Sequence, residues 1–600
     1  MSIDSLYEGV IATLNTQGRI RSISQQIICS KNIHDKVLLV YDILEGLDAF
    51  PKILEVAKCE KVSTYYRNQG NKKFQQSDDY RAWQYYNLSL LHAPLDSECY
   101  SLALANRSAV FFSLRKWTEC VKDIDNVFSR KYPLKLTDKL NKRKSMCKEN
   151  LPEELVKSNS ESNKILTLQD PQGPRFPCAS SKLEVVFSTE MGRHVVAKCD
   201  IKVGEVLVQE EPYFMLLLKQ QYLFTCHYCL SRSLNLLPCG NCCFALYCSN
   251  KCRDSAWKDY HEVECPLMAT LIEMQFTKLE LLAIRTVIKA RNDHPDWDSL
   301  FKTIQDAEEN LGSEFRGHIK INNEWVYDSK YYASIHTLAS NIEKRSVSDI
   351  FQKAVTASVF LWLLTQKTKF LESDNEEEQD NISKYAAGTL LHHIMTSPTN
   401  MHGISANVET AEGNFVEEFN IASAPYAFHS LLNHSCAPNV VRCSKLGSGK
   451  MTLIALRPIK KGMQLFDNYG AHHAIDDRET RQENLKFQYK FTCLCEACIN
   501  DWPTYFTMKR AGNVPGSIIK RKDTILDSDA LDKLQKGDLA TAERIFRPLC
   551  EIAEELEPYA PCMELADCQE SIKQCLQIFG GLVPYGYSQT VDWNAAPPKV

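Results

Sequence analysis

The chain has 600 residues, of which 44% are hydrophobic and 24% charged, with a formal net charge of −5. That length is more than one hydrophobic core organises, so several packed units are expected. The slight acidic excess argues against direct DNA binding, which favours a basic footprint. Residues 1–22 lack a leader pattern, and no run of about 18 uninterrupted apolar residues occurs, so neither secretion nor a membrane span is expected.

Residues 1–150 read as a helical domain, with apolar positions recurring at three and four over 33–148. One stretch places Gly70, Asn71, Phe74, Tyr80, Ala82, Tyr86 and Leu90 at helical spacing; the next places Ala105, Asn106, Trp117, Cys120 and Asp123. Small residues at fixed places let paired helices approach closely while aromatics fill the gaps. The pattern resembles tetratricopeptide (TPR) repeats, which stack helix pairs into a solenoid; an unrelated helical bundle is the competing reading. Arg67 and Asn71, like Lys139 and Arg143, are four apart and share a helix face. With Asn106 they resemble the clamp by which chaperone-binding TPR domains hold the C-terminal carboxylates of a peptide. Read otherwise, the asparagines belong to the repeat pattern and the cations are solvated.

Residues 151–181 are polar and Pro/Ser-rich, and read as a linker. Short β-rich runs follow over 182–225, a Cys-rich module over 226–265 and a helical stretch over 266–395. The acidic run 372–380 inside that stretch reads as a solvated loop. A second β-rich segment covers 396–475, a second Cys-rich segment 476–505 and a helical tail 506–600, with its Pro-rich last residues expected to be disordered.

The 24 cysteines, with paired spacings and no secretory leader, point to metal rather than disulfides. Cys226, Cys229, Cys239, Cys242, Cys248, Cys252, His261 and Cys265 supply eight ligands within 40 residues, which suits two tetrahedral zinc ions. Cys243 and His227 are left over. Around them Arg232, Lys251, Arg253 and Lys258 are offset by Asp254, Asp259, Glu262 and Glu264, so no footprint for DNA is formed. Cys493, Cys495 and Cys498 supply three thiolates, one short of a zinc site.

The module at 226–265 resembles the MYND zinc finger, including Tyr247-Cys248-Ser249 and Trp257 four residues before His261. That resemblance implies interleaved ligation: Cys226, Cys229, Cys248 and Cys252 on one zinc, Cys239, Cys242, His261 and Cys265 on the other, with a surface open to peptide partners. Three further motifs occur in order: Ser430-Leu-Leu-Asn-His-Ser-Cys-Ala-Pro-Asn439, Phe466-Asp-Asn-Tyr-Gly470 and the Cys493–Cys498 triplet. Together they resemble the SET-domain methyltransferases and, with the inserted finger, the SET-and-MYND-domain family over about residues 65–580.

The resemblance implies an α+β multidomain fold. A β-rich SET body, interrupted by the finger, would be flanked by N- and C-terminal helical TPR-like regions, the latter packing back to narrow the substrate cleft. Cys436 would complete the zinc of the post-SET segment. The implied cofactor is S-adenosylmethionine, held by Met191, Gly192, Arg193, His194, His336, Asn400, Asn433, His434, Tyr469 and Phe491. His194 stands where many relatives have a second glycine, and its bulk is expected to narrow the pocket. Tyr469 would be the catalytic hydroxyl, with Tyr489 and Phe491 walling the lysine channel; Asp467 is not taken as a general base. The implied activity is methylation of a lysine in a histone or non-histone protein, by a monomer in cytoplasm and nucleus. The alternative is a catalytically weak TPR–MYND adaptor scaffolding chaperone or transcriptional-repressor complexes.

Overall fold

The computed structural model describes residues 2–151, 161–170, 173–415, 417–584 and 591. Residues 152–160 of the expected linker, and 592–600 of the tail expected to be disordered, lie outside them.

The helical unit expected over 1–150 divides in two. Helices Ile3–Thr16, Ile20–Cys29 and Ile33–Gly46 bury Leu6, Val10, Leu14, Val37, Val40 and Leu44. They do so against helices Val347–Lys367 and Glu376–Asn400, far along the chain, and not against the helices that follow them in sequence. Ser358 donates to the Val37 carbonyl at 3.0 Å. Gly388 permits the approach, since a Cβ there would sit 3.2 Å from Ile33. Helix Val347–Lys367 is long and apolar enough to cross a membrane, but its apolar stretch is 61% buried inside the protein. Covering that face is the physical reason the first three helices stand apart from the helices that follow them.

Helices Glu60–Gln75, Asp79–His92, Glu98–Ser113, Trp117–Phe128 and Thr137–Glu149 form the second unit, each packed on the next. Gly70 lets the first two touch: a Cβ there would lie 2.6 Å from the Tyr86 ring. This unit grips the Cys-rich module. Trp83 donates to Leu234 O at 3.0 Å, Asn87 to Leu223 O at 3.0 Å and Arg107 to Leu236 O at 2.8 Å. Arg107 also pairs with Asp123 at 2.7 Å, with side chains 0% and 2% exposed.

The β-rich body is a set of small sheets assembled from both halves of the chain. Strand Val206–Glu210 pairs antiparallel with Met451–Ala455, which pairs in turn with Val440–Ser444. Hairpin Leu183–Ser188/Gly192–Ala197 is tied to the same second half, with Ala197 donating to Met463 O and Leu465 to Val195 O. Strand Asn433–His434 runs parallel to Phe466–Asp467, so a late segment of chain is drawn alongside an earlier one. Asn439 fixes that crossing: its Oδ1 accepts from Phe466 N at 2.8 Å and its Nδ2 donates to Gln464 O at 2.9 Å. A buried carboxylate ties the body further, Glu210 accepting from the Phe428 and His429 amides, Ser329 and the His429 ring.

Three expectations about connecting segments are corrected. Of the linker over 151–181, residues 161–165 are helical, and Ile165, Phe176 and Ala179 are buried. Phe176 packs edge-on to His318 and Phe428, so this part belongs to the body. The acidic run 372–380 is not wholly loop: Asn375 caps helix Glu376–Asn400, and Glu376, Glu377 and Glu378 form its first turn, where carboxylates favour the helix dipole. That helix also runs past the boundary expected at 395, through Pro398 to Asn400. The tail forms helices Gly516–Ile525, Ser528–Gln535, Leu539–Leu556 and Met563–Gly580, which return to the body. Cys443 donates to Leu576 O at 3.1 Å, and Glu554 accepts from Val203 N at 2.8 Å.

Candidate active site and metal clusters

Within the Cys-rich module, hairpin Leu237–Pro238/Leu246–Tyr247 and helix Asn250–Ala256 present the ligands. A π-helical turn over Trp257–His261 follows and turns His261 inward, a use of the wide turn common at functional sites. Cys226, Cys229, Cys248 and Cys252 form one group, and Cys239, Cys242, His261 and Cys265 another, with ligand atoms in each within 4.8 Å of one another. Cys243 and His227 stand outside both groups; His227 contacts Tyr222 O, and burial lowers its pKa to about 3. A third group joins Cys436 to Cys493, Cys495 and Cys498 within the same limit. Soft thiolates at this spacing are the donor set of a closed zinc site.

The strand crossing puts the candidate catalytic residues beside that third group. His434 Nδ1 accepts from the Tyr469 amide at 3.0 Å, leaving Nε2 3.4 Å from Cys436 Sγ. Burial lowers the His434 pKa to about 4, so the ring is neutral at physiological pH. The Tyr469 hydroxyl donates to Leu432 O at 2.5 Å. Its proton is thereby committed, and its oxygen lone pairs remain to orient a donor. Burial, with the Asp467 charge adding, pushes this hydroxyl well above its usual pKa and keeps it protonated. The Tyr489 ring lies 4.8 Å from that of Tyr469, and Phe491 lies 6.1 Å from His434.

The Gly192 turn meets the same place. Asn433 Nδ2 donates to Met191 O at 3.1 Å, joining the turn to the strand crossing. Gly192 has φ +65, and a Cβ there would meet nothing within 4 Å, so the turn faces open space. His194 does not protrude into that space; its Nδ1 folds back to within 3.0 Å of Gly192 O. Arg193 donates to Arg316 O at 2.8 Å and Thr337 O at 3.3 Å, and Arg316 Nη2 donates to Thr337 O at 2.7 Å.

His336 and Asn400 come to this region through the same backbone segment, but their side chains are already engaged. The His336 ring contacts Tyr332 OH and Glu308, each at 3.2 Å, and stacks on His392. Asn400 donates to Ala339 O at 2.7 Å and Thr396 O at 2.8 Å. Segment 336–339 is thus held by Arg193, Arg316, His392 and Asn400 together.

Arg316 and Arg442 escaped the reading of the sequence. Arg316 sits in a turn without a motif. Arg442 had one available signal, a cation inside the otherwise apolar strand Val440–Ser444. A cavity of about 560 Å³ opens beside the site, lined by His472, His473, Trp502, Tyr505, Lys573 and Gln574. Its wall takes Ala437, Pro438 and Arg457 from before Tyr469, and joins them to the segment after it and to the C-terminal helices.

A family model described as the SET domain matches residues 192–470, from the Gly192 turn to the glycine after Tyr469. The chain is 27% identical over 518 residues to protein-lysine N-methyltransferase SMYD4 of Danio rerio, covering 76% of this chain and 68% of that protein. It is 26% identical to SMYD4 of Homo sapiens, covering 82% and 73%. Histone-lysine N-methyltransferase SMYD3 of Mus musculus matches at 24% over 318 residues, covering 53% of this chain and 61% of that protein. Residues 192–470 thus match the SET domain, and over most of its length the chain is similar to relatives named as protein-lysine N-methyltransferases.

Proposed function

We propose that the chain transfers a methyl group from S-adenosylmethionine to a lysine side chain of a histone or non-histone protein. The observation that carries this reading is the convergence of Asn433, His434 and Tyr469 with the Gly192 turn, through the Asn433–Met191 and His434–Tyr469 bonds. The site offers such a cofactor an open glycine turn beside Asn433 and His434, with the Arg193 guanidinium held nearby on the Arg316 and Thr337 carbonyls. When bound there, S-adenosylmethionine supplies a methyl group on a sulfonium, which is already an excellent leaving group.

What remains for the protein is alignment and desolvation. Holding nitrogen and methyl carbon in line supplies most of the acceleration. The target lysine, with a reference pKa of about 10.4, must arrive as a neutral amine. A dry channel walled by Tyr469, Tyr489 and Phe491 disfavours the ammonium form. The Tyr469 oxygen orients the amine.

The three ligand groups are assigned to zinc, two ions in a MYND-type finger and one behind the active site. Zinc–thiolate sites require reduced cysteines, which supports a protein of cytoplasm and nucleus. Labelled S-adenosylmethionine incubated with cell extract and the purified chain tests the activity. The Tyr469→Phe variant should fold and bind cofactor but lose at least ~100-fold in labelling. Equal labelling would defeat the assignment.

A second role is supported by the helical unit. Asn71 Oδ1 accepts from Asn106 Nδ2 at 2.8 Å and Tyr86 OH at 2.9 Å, leaving amide donors outward. Arg143 donates to Ala105 O and Ser108, Arg67 Nε has no partner among the described residues, and Lys139 is exposed. Donors gathered in this way suit the C-terminal carboxylates of an acidic chaperone peptide. Loss of binding to such a peptide in Asn71→Ala and Lys139→Ala is the expected outcome. Peptide binding there serves the adaptor role alongside catalysis.

A further inference from the structure

Arg442 lies in strand Val440–Ser444, outside every motif of the methyltransferase reading. All three guanidinium nitrogens are engaged. Nε lies 2.9 Å from Asp467 Oδ2, Nη2 donates to Asn468 O at 3.2 Å, and Nη1 donates to His402 Nδ1 at 2.9 Å. Two of these partners are the residues immediately before Tyr469. The Asp467 side chain is 4% exposed, and Arg442 is its one cationic partner among the described residues.

The surroundings of Tyr469 hold few other charges. His434, on the parallel neighbour strand, accepts a hydrogen bond from the Tyr469 amide. Tyr489, at the end of helix Arg478–Tyr489, donates to Tyr469 O at 3.2 Å. Lys490 turns onto Phe487 O. His402, behind Arg442, is buried and neutral, with Nδ1 occupied by Arg442 and Nε2 3.3 Å from Ser430 Oγ. Asp467 and Arg442 are charged side chains whose fields reach both tyrosines, with opposite sign at each.

This matters for a reaction whose nucleophile must shed a proton. A buried carboxylate without its partner would stabilise an incoming ammonium and hold the lysine in its unreactive form, whereas a carboxylate neutralised by a guanidinium does not. We propose that Arg442 is a positioning residue for methyl transfer: it cancels the Asp467 charge beside the amine and fixes the Asn468–Tyr469 backbone through the Asn468 carbonyl. Asp467 then has a structural use, as the anchor that draws Arg442 across the strand crossing, and is not a base.

The proposal rests on the methyltransferase reading, and the experiment separates the two. The probe is labelled S-adenosylmethionine with cell extract, following the protein band labelled by the zinc-loaded wild-type chain between pH 6.5 and 9.5. Arg442→Gln should move the half-maximal pH of labelling upward by about 1–2 units, with rates approaching wild type at the alkaline end. Arg442→Lys should keep the wild-type midpoint, because it retains the cation. The double variant Arg442→Gln/Asp467→Asn should bring the midpoint back. Calorimetry with S-adenosylhomocysteine checks that each variant still binds cofactor. Arg442→Gln slow at every pH with an unmoved midpoint, or a double variant that fails to restore it, overturns the proposal. No labelling by the wild-type chain overturns the methyltransferase reading instead.

Discussion

The Cys-rich module and the Cys436–Cys498 cluster both rely on thiolates, with His261 added in the module, but they are built in opposite ways. The finger draws all eight ligands from 226–265, so each knuckle forms with little loop closure. The post-SET cluster brings Cys436 to Cys493, Cys495 and Cys498 across a long stretch of chain that includes Tyr469. Their contacts differ accordingly. The finger is gripped from outside by the helical unit through the Leu234 and Leu236 carbonyls, with Leu223 O held just before it. The post-SET cluster touches the active site directly, through the Cys436–His434 contact and the His473 amide donating to Cys436 O. A local metal site stabilises its own module, whereas a metal site closed over distance shapes whatever lies inside the loop.

That contrast breaks most readily at Cys436. Cys436→Ser should lower bound zinc from three ions per chain to two, measured by mass spectrometry, and weaken cofactor binding at least ~100-fold by calorimetry. A ligand change in the finger, such as Cys239→Ser, should also remove zinc yet leave cofactor affinity near wild type; equal losses from both would erase the distinction.

A smaller effect tests the grip on the finger. Arg107 and Asp123 are both fully buried, and removing one leaves the other unpaired. Arg107→Ala should cost about 3–5 kcal/mol in unfolding free energy. Limited proteolysis should then cut first within 60–149, while labelling at low temperature persists. Loss of labelling in step with protease sensitivity would mean that the two ends of the molecule are not separable.

The smallest effect concerns acid, and belongs to neither metal site. Burial lowers the pKa of His318 to about 4 and that of His392 to about 3, and holds His393 well below its usual value. Below about pH 6.5 the unfolded chain takes up protons that these folded rings refuse. Stability therefore rises with pH across this window and falls as pH drops toward the folded values. The Tm of zinc-saturated protein should be lower at pH 5.5 than at pH 7.5, and His392→Asn should flatten the dependence.

Much of the chemistry was legible locally. The spacing of Cys226 to Cys265 announces metal ligands by itself, because ligand geometry is a short-range property. Asn433-His434, Tyr469 and Gly192 were found by motif, and the structure brings them together. The side chains of His336 and Asn400 were less predictable, since a motif places a backbone segment without saying which neighbours claim the side chain.

The sequence by itself determined the periodic helices, the ligand spacings and the motifs that point to methyl transfer. Only the tertiary structure decided that the first three helices cover Val347–Lys367, that Val206–Glu210 pairs with Met451–Ala455, and that Arg442 reaches Asp467. Periodicity and ligand spacing are set within a few turns of chain. Pairings across hundreds of residues depend on which buried faces and charges find each other after collapse, and they leave little local trace.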